Sequence, residues 1–504
     1  MTQDFLLELD APLGAVERRR LDQAAGETKR ASDFIEYLSK RAPPLQGICT
    51  IKIDPDYEKS EGVRDVVAAV RDGCPLIFVS GRAGTGKSRL IDYMKTLPGG
   101  DRQIVVAPTG VAALALQAAT IHSFFKLPIG VIDAEALLDE DVNLGPVVRN
   151  MSRLVIDEIS MVRADILDAI DLRLRSARQS PLPFGGVQVV VVGDFLQLPP
   201  VVTMQDRDTL ECLGYVTPFA FSSKVMQRTP IRVATLKKVW RQSDPEMIEA
   251  LGAIREGRNV SWAIGWLNQE CARPHRAGPT PLLLTATRSA ADSYNEEGLK
   301  CLRERNADKS VVSEMEIRAR SFGSFGGDEA SLPAPRILRI FKGVRVMAVK
   351  NDPEQRYVNG SLGVVSGVYD GAGSFEESHV SVLFDGQIDP VRVYPSEWRR
   401  TRQDWDDVSQ KVVDITLGEY RQIPLTLGFA ITIHKSQGLS LDDVRIDLGG
   451  GTFAPGQLYV ALSRARSAEG LSLVRPILES DVRVDEMLVR FLEWARGAKH
   501  LSFC

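Results

Sequence analysis

The sequence has no CxxC pair, and its five histidines do not complete a zinc pattern with cysteines scattered at 49, 74, 212, 271, 301 and 504. This spacing points away from a zinc cluster and towards reduced thiols. No apolar run reaches the roughly 18 residues that a membrane helix needs. Asp4, Glu8 and Asp10 stand where a signal or transit peptide would be basic, so the expected location is cytoplasmic. Charge of one sign is also missing: 62 Lys and Arg against 66 Asp and Glu leave a net charge of -4. No global field would draw such a chain onto nucleic acid or an anionic membrane, so any nucleic-acid site must be a local groove. What is present is ordinary for folded protein, with 44% hydrophobic and 25% charged residues over 504 positions. That length is too great for one small binding module and corresponds to about three domains.

The first 48 residues are charged and predicted helical, with a helix expected over Ser32 to Lys40 that stops before Pro43 and Pro44. From 75 onward, PLIFVS, QIVVAPT, RLVIDE and VQVVVVGD are near-continuous apolar runs. Runs without alternation mark parallel strands covered on both faces, so the expected class is α/β. Ile166, Ile170 and Leu174 recur at helical spacing and predict a helix packed on that sheet. A second α/β set opens at LLLTAT (282–287) and resumes at LTLGFAITI (425–433) and DVRIDLG (443–449). Between them, VRVMAVK, SLGVVSGVY and HVSVLF are separated from one another or followed by Asn359-Gly360, Asp370-Gly371 and Asp385-Gly386 turns, which suits a small inserted antiparallel barrel. Residues 319–336 are rich in Gly, Ser and Pro and read as a loop or linker.

Chemistry concentrates in a few strings. Gly81-Arg-Ala-Gly84-Thr85-Gly86-Lys87-Ser88 follows one apolar run and opens a helix, the context a phosphate-binding loop requires. Glycines let backbone N–H groups curl around phosphates, the helix start adds its dipole, Lys87 meets the β and γ oxygens, and Ser88 ligates Mg²⁺. LVIDE ends a buried strand in Asp157 and Glu158, one carboxylate suited to the Mg²⁺ shell and the other to polarising an attacking water. Gln197 in GDFLQLPP is placed to sense the γ-phosphate, with a turn residue held by Pro199-Pro200 as the bland alternative. Arg241 and Arg464, both assigned to the second α/β region, are candidate arginine fingers. A finger is worth about 10³–10⁵ in rate, against about 0–1 kcal/mol for the surface salt bridge that is the alternative for either.

In order, GRAGTGKS, APTGVAALAL with TIHSFF, VIDEISMV, PFGGVQVVVVGDFLQLPPV, LKKVWRQSD, TIHKSQGLSLDDV and GQLYVALSRAR resemble the motifs of the petite-integration-frequency (Pif-type) DNA helicases. These form part of the RecD-like branch of superfamily one. The resemblance spans about residues 75–475. It implies two RecA-like P-loop NTPase domains with a small wedge insertion and an SH3-like β-barrel insertion. The implied division is an N-terminal extension (1–48), domain 1A (49–123 and 151–230), wedge 1B (124–150), domain 2A (231–344 and 421–475), barrel 2B (345–420) and a helical tail (476–504).

The same resemblance implies that ATP and Mg²⁺ sit among Gly81, Gly84, Thr85, Gly86, Lys87, Ser88, Asp157, Glu158, Gln197, Arg241, Gly438 and Arg464. It places Pro108, Thr109, His122, Ser123, His434 and Lys435 on single-stranded DNA. Such small hydroxyls, imidazoles and one Lys suit phosphate holding without reading sequence. The implied activity is 5′-to-3′ translocation with unwinding of forked or structured DNA, by a chain that is monomeric without DNA, nucleoid-associated and not bound to membrane. An ATP-switched strand-binding module without efficient unwinding, or a RecD-like recombination subunit, is the alternative. The sequence departs from the family in three places: no Gln lies between Gln46 and Gln103 to read adenine, Met226 stands where Trp is frequent, and residues 1–48 have no recognised counterpart.

Overall fold

The computed structural model describes residues 55–501 apart from 117, 129, 135, 138–141, 143, 272–280, 307–313, 324, 326–331, 355, 407–410 and 498–499. The expected N-terminal extension and its helix lie outside the described residues. The apolar runs build a first sheet from β1 (Leu76–Gly81), β2 (Gln103–Ala107), β3 (Ala119–Thr120), β4 (Arg153–Ile156), β5 (Gln188–Gly193) and β6 (Ile231–Leu236). All six run parallel, in the order β6-β1-β5-β4-β2-β3. Every residue of β1 is buried and Val189 to Val192 are fully covered, as a sheet with helices on both faces demands. Helix α1 (Lys87–Met94) leaves β1 through the phosphate-loop sequence, and α2 (Ala164–Arg178) buries the expected Ile166, Ile170 and Leu174. β6 corrects the expected domain boundary at 231, because it pairs with β1 along six residues and belongs to the first sheet. Phe124, Phe125, Leu127, Ile132, Leu137, Val147 and Val148, from the segment expected to form a wedge, pack into this first core. Met226 is fully buried there too, so it acts as packing.

Helix α3 (Pro245–Glu256), N-capped by Asp244, and a following helix (Val260–Cys271) lead into β7 (Leu282–Thr285) of the second lobe. Antiparallel strands then intervene: β8 (Met315–Arg318), β9 (Arg320–Gly323), β10 (Ile337–Ile340), β11 (Arg345–Ala348), β12 (Leu362–Tyr369), β13 (His379–Phe384), β14 (Val391–Val393), β15 (Ser396–Asp406), β16 (Lys411–Gln422) and β17 (Leu425–Leu427). They form a five-stranded sheet in the order β14-β13-β12-β11-β17, a β10-β8 pair that shares its core, and a β15-β16-β9 sheet built on a long hairpin. The insertion is therefore wider than residues 345–420. Residues 319–336, expected as a linker, contain β9, whose backbone pairs with β16.

The parallel sheet resumes with β18 (Ala430–Thr432), β19 (Val444–Asp447) and β20 (Leu471–Leu473), in the order β18-β7-β19-β20. The single run LTLGFAITI is thus divided between β17 in the insertion and β18 in the parallel sheet. Apolarity alone could not mark that break. Helix α4 (Gln457–Leu462) is buried along its whole length against this second core. Helix α5 (Glu486–Gly497) returns to the first lobe, where Leu488, Phe491, Leu492 and Ala495 join its core. Phe491 stacks on Phe221 at 4.3 Å and meets Phe195 edge-on at 5.5 Å, contacts worth about 0.5–1.5 kcal/mol each beyond area. The expected helical tail then ends in β21 (His500–Leu501), antiparallel to β6 on the edge of the first sheet.

Candidate active site

The loop from Gly81 to Ser88 is shaped by its glycines. Gly84 (φ 77°) and Gly86 (φ 86°) take the left-handed conformation, and a Cβ on Gly84 would lie 2.6 Å from Cβ of Arg241. Thr85 donates its hydroxyl to the Arg82 carbonyl at 2.9 Å, bracing the loop. The Lys87 ammonium donates to the carbonyls of Gly81 (2.9 Å) and Arg82 (3.1 Å), and the next residue, Ser88, is exposed. Burial lowers the pKa of Lys87, while Glu158, Asp194 and Asp157 oppose that shift, so three carboxylates share its surroundings.

Asp157 and Glu158 follow β4 at its carboxyl end. Burial raises the pKa of Asp157, and the charge of Glu158 raises it further; the Glu158 N–H and Lys87 pull the other way. Glu158 has φ 49° and ψ 48°, a left-handed backbone that costs a non-glycine residue about 1–2 kcal/mol. One of its carboxylate oxygens, Oε2, is buried with no hydrogen-bond partner. A strained acid with an orphaned oxygen is the pattern of a site built to take up a further group. Gly193, ending β5, lets this turn approach closely, since a Cβ there would lie 2.9 Å from Ile159.

Arg241 comes from the first lobe's side and not, as expected, from the second: it follows β6, and the N–H of Trp240 donates to the Gly84 carbonyl at 2.8 Å. Its guanidinium reaches across to the carbonyls of Ser463 (3.0 Å) and Gly438 (3.5 Å). Arg464, 2% exposed, donates to the carbonyls of Val460 (2.8 Å), Ser436 (3.4 Å) and Leu439 (3.3 Å) and to the Ser463 hydroxyl (2.8 Å). Burial lowers the pKa of both arginines; each feels the Glu158 charge, and Arg464 also feels Arg241. Lys87, Glu158, Arg241 and Arg464 therefore share one crevice between the lobes. Gln197 is 3% exposed, with its amide directed to Asp194 Oδ2 at 3.5 Å, and the backbone at Gly456 of the second lobe packs on its carbonyl.

Three contacts across this crevice, and one within the first lobe beside the loop, were not anticipated from the sequence. Arg255 on α3 grips Asp194 with Nε (2.9 Å to Oδ2) and Nη2 (2.6 Å to Oδ1), and the two side chains are 1% and 0% exposed. Burial alone would raise the Asp194 carboxyl, but Arg255, with Lys87 beyond it, holds it below the ordinary carboxylate value. Glu256 accepts from Arg82 at 3.2 Å, and the Tyr459 hydroxyl on α4 accepts from the Ala83 N–H at 2.9 Å. Tyr57 donates to the Gly86 carbonyl at 2.8 Å, with its ring 5.8 Å from that of Trp240, which carries Lys238 Nζ 3.8 Å above its face. One signal existed: Arg255 lies four residues after Leu251 on the apolar stripe of Met247, Leu251 and Ile254, where a charge calls for a buried partner.

The strand-holding candidates all lie just beyond carboxyl ends of parallel strands, where open α/β sheets build ligand sites. Pro108 and Thr109 follow β2, and the Thr109 hydroxyl accepts from the Ala112 N–H at 3.3 Å, capping the next short helix. His122 and Ser123 sit on a helix (Ile121–Phe125) after β3; burial and then Arg163 lower the His122 pKa against the pull of Asp165. His434 and the exposed Lys435 follow β18. Burial lowers the His434 pKa, and its ring stacks on Phe453 at 6.2 Å, a side chain 59% exposed.

Among the described residues no cluster of three or more His, Cys, Asp or Glu could hold a metal, and no helix is long and apolar enough to cross a membrane. The family described as PIF1-like helicase matches residues 58–258. The chain is similar to the ATP-dependent DNA helicase PIF1 of Mus musculus, 36% identical over 84% of this chain and 61% of the relative. It is 32% identical to the ATP-dependent DNA helicase Pif1 of Bdellovibrio bacteriovorus, over 79% of this chain and 84% of that protein. The crystal structure of Bacteroides sp Pif1 in complex with ADP-AlF4 superposes with a TM-score of 0.76 at 33% identity, covering 88% of this chain and 98% of that one. The chain spans only 61–65% of the length of the mammalian relatives. Two P-loop lobes of the RecA type, an arginine-lined crevice between them and relatives matched along most of their length lead to one assignment: the chain belongs to the PIF1-like helicase family.

Proposed function

We propose that this chain hydrolyses ATP to move 5′ to 3′ along single-stranded DNA and to unwind duplex or structured DNA. One observation carries the reading: Arg241 and Arg464 lie close enough to Glu158 to feel its charge, while their hydrogen bonds are made to neutral oxygens. Buried positive charge without a carboxylate partner is costly and is relieved by a polyanion. On this reading Lys87 exchanges the Gly81 and Arg82 carbonyls for β and γ phosphate oxygens, and Gly81, Gly84, Thr85 and Gly86 shape the cradle. Ser88 and Asp157 hold Mg²⁺, which suits a metal that takes one or two protein oxygens beside phosphate. When bound, the metal neutralises charge on the phosphate oxygens. Glu158 orients the attacking water with its unpartnered oxygen, Gln197 senses the terminal phosphate, and the two arginines neutralise the charge that develops there. Because no Gln lies between Gln46 and Gln103 to read adenine, the nucleotide is held chiefly through its phosphates, which discriminates weakly among bases.

The strand-end residues Pro108, Thr109, His122, Ser123, His434 and Lys435 form two grips, one per lobe, so closing and opening the crevice moves one grip past the other. Opening a base-pair step costs about 0.6–2.2 kcal/mol, close to the roughly 1–3 kcal/mol gained by stacking a freed base on an aromatic. Related Bacteroides Pif1 structures include one bound to single-stranded DNA and one addressing unwinding at forked duplex DNA, in line with this substrate class. The residues 124–150 and the β11–β14 and β17 sheet would serve as the wedge and the SH3-like barrel, and the chain would work as a monomer off DNA in the cytoplasm. The test is ATP turnover with and without single-stranded DNA, followed by a forked duplex carrying a 5′ tail. Lys87→Ala is expected to abolish DNA-stimulated hydrolysis; retained turnover would remove Lys87 from the site, and unwinding only from a 3′ tail would reverse the polarity.

A further inference from the structure

β8, β9 and β10 border a hollow of about 270 Å³ lined by Arg318, Ser321, Phe325, Arg336, Ile337 and Tyr420 among others, none of them a crevice residue. Its floor is aromatic: the Phe325 and Tyr420 rings stack with centroids 5.3 Å apart and planes 27° apart. Tyr420 spends its hydroxyl on the Ala334 carbonyl at 2.9 Å, so the floor offers ring surface more than hydrogen bonds. The rim is basic. Arg318 pairs with Ile337 across the β8–β10 ladder, and the N–H of Ala319 donates to the Arg336 carbonyl at 2.8 Å, which sets the two arginines on neighbouring strands.

Arg318 and Arg339 are 73% and 54% exposed and share one carboxylate, Glu316, at 3.5 and 2.9 Å. Arg320 and Arg336 are exposed as well, and Phe322, 53% exposed, lies on the adjoining β9 under Arg421. Solvated arginines alone would be unremarkable as a surface. Guanidinium groups around an aromatic-floored hollow instead match the two faces of a nucleotide, a phosphate that takes charge-assisted hydrogen bonds and a base that stacks.

We propose that this hollow is a second contact for single-stranded DNA, outside the grips at the parallel strand ends. Arg318 and Arg336 take the phosphate, and Phe325 takes the face of a base. The contact is indifferent to sequence, because every base offers a ring face and every phosphate the same charge. It rests on the reading that this chain works on single-stranded DNA, and it adds a hold on strand that has passed beyond the two grips.

The test uses the whole chain and a ladder of fluorescent oligo-dT lengths, read by anisotropy. Native affinity is expected to step up once the oligomer is long enough to reach the hollow. Arg318→Glu with Arg336→Glu should erase that step, a loss of roughly fivefold to a hundredfold on long oligomers. Affinity for the shortest oligomers and the hydrolysis they stimulate should not change, and Arg318→Lys with Arg336→Lys should keep most of the step. Long oligomers bound by the Glu variant as tightly as by the native chain would overturn the proposal, as would an equal loss on short ones. A photo-crosslink from 5-iodo-dU in a long oligomer to the Phe325 peptide provides a readout on the unmutated chain, and its absence would also overturn the contact. Because the length step is read by binding alone, a native chain that bound DNA without hydrolysing ATP would sink the motor and leave this site standing.

Discussion

Two sets of arginines line the same crevice in opposite electrostatic condition. Arg255 meets Asp194 with three guanidinium–carboxylate hydrogen bonds in full burial, so its charge is neutralised within the protein. Arg241 and Arg464 are bonded to carbonyl and hydroxyl oxygens, with the Glu158 charge nearby but not hydrogen-bonded to them. The first arrangement fixes how α3 sits on the loop that carries Gln197. The second creates a demand for negative charge at the spot where Lys87 and Glu158 meet. A joint between two lobes thus separates holding from sensing by whether each cation already owns an anion.

Substitutions can break this distinction. Arg464→Ala should lower the turnover number by about 10³–10⁵ with a much smaller change in ATP affinity, measured by steady-state hydrolysis against nucleotide titration; an effect confined to affinity would show that Arg464 is a binding residue. Asp194→Asn should strand Arg255 and cost about 3–5 kcal/mol of unfolding free energy, read by denaturant titration, whereas Arg464→Ala should cost much less. Equal losses would erase the contrast. The Asp194 effect has a pH signature. Its folded carboxyl lies below the ordinary value of 3.8, so its stabilisation is complete above that value and fades as pH falls through the lower folded one. The stability gap between native chain and variant should therefore hold steady from about pH 7 to about pH 5 and close in stronger acid. Glu158→Gln should slow hydrolysis by about 10²–10⁴ while nucleotide and DNA still bind; unchanged turnover would assign the water to another group.

Much of the chemistry was legible because it is local. The run from Gly81 to Ser88, the acids after β4 and the helix carrying Ile166, Ile170 and Leu174 each announce themselves within about ten residues of sequence, as periodic or turn-forming patterns do. What failed to show depends on partners far along the chain. The 319–336 segment looked like a linker because its Gly, Ser and Pro content conceals β9, which exists only through pairing with β16. LTLGFAITI looked like one strand because apolar runs do not reveal where the backbone changes sheets. Arg241 was credited to the wrong lobe since its position in sequence, just past β6, says nothing of the 2.8 Å bond that ties Trp240 to the phosphate loop. Arg255 and Asp194, 61 residues apart, carried a hint in the apolar stripe but no indication of each other.

The course of the chain past the second lobe leads back to the first. It departs the first sheet after β6 and comes back before α5, whose Phe491 is clamped among Phe195 and Phe221, and β21 is then stitched to the very strand from which the departure was made. Both connections between the lobes are thereby rooted in one sheet and one core, and residues 486–501 count as part of the first lobe's fabric.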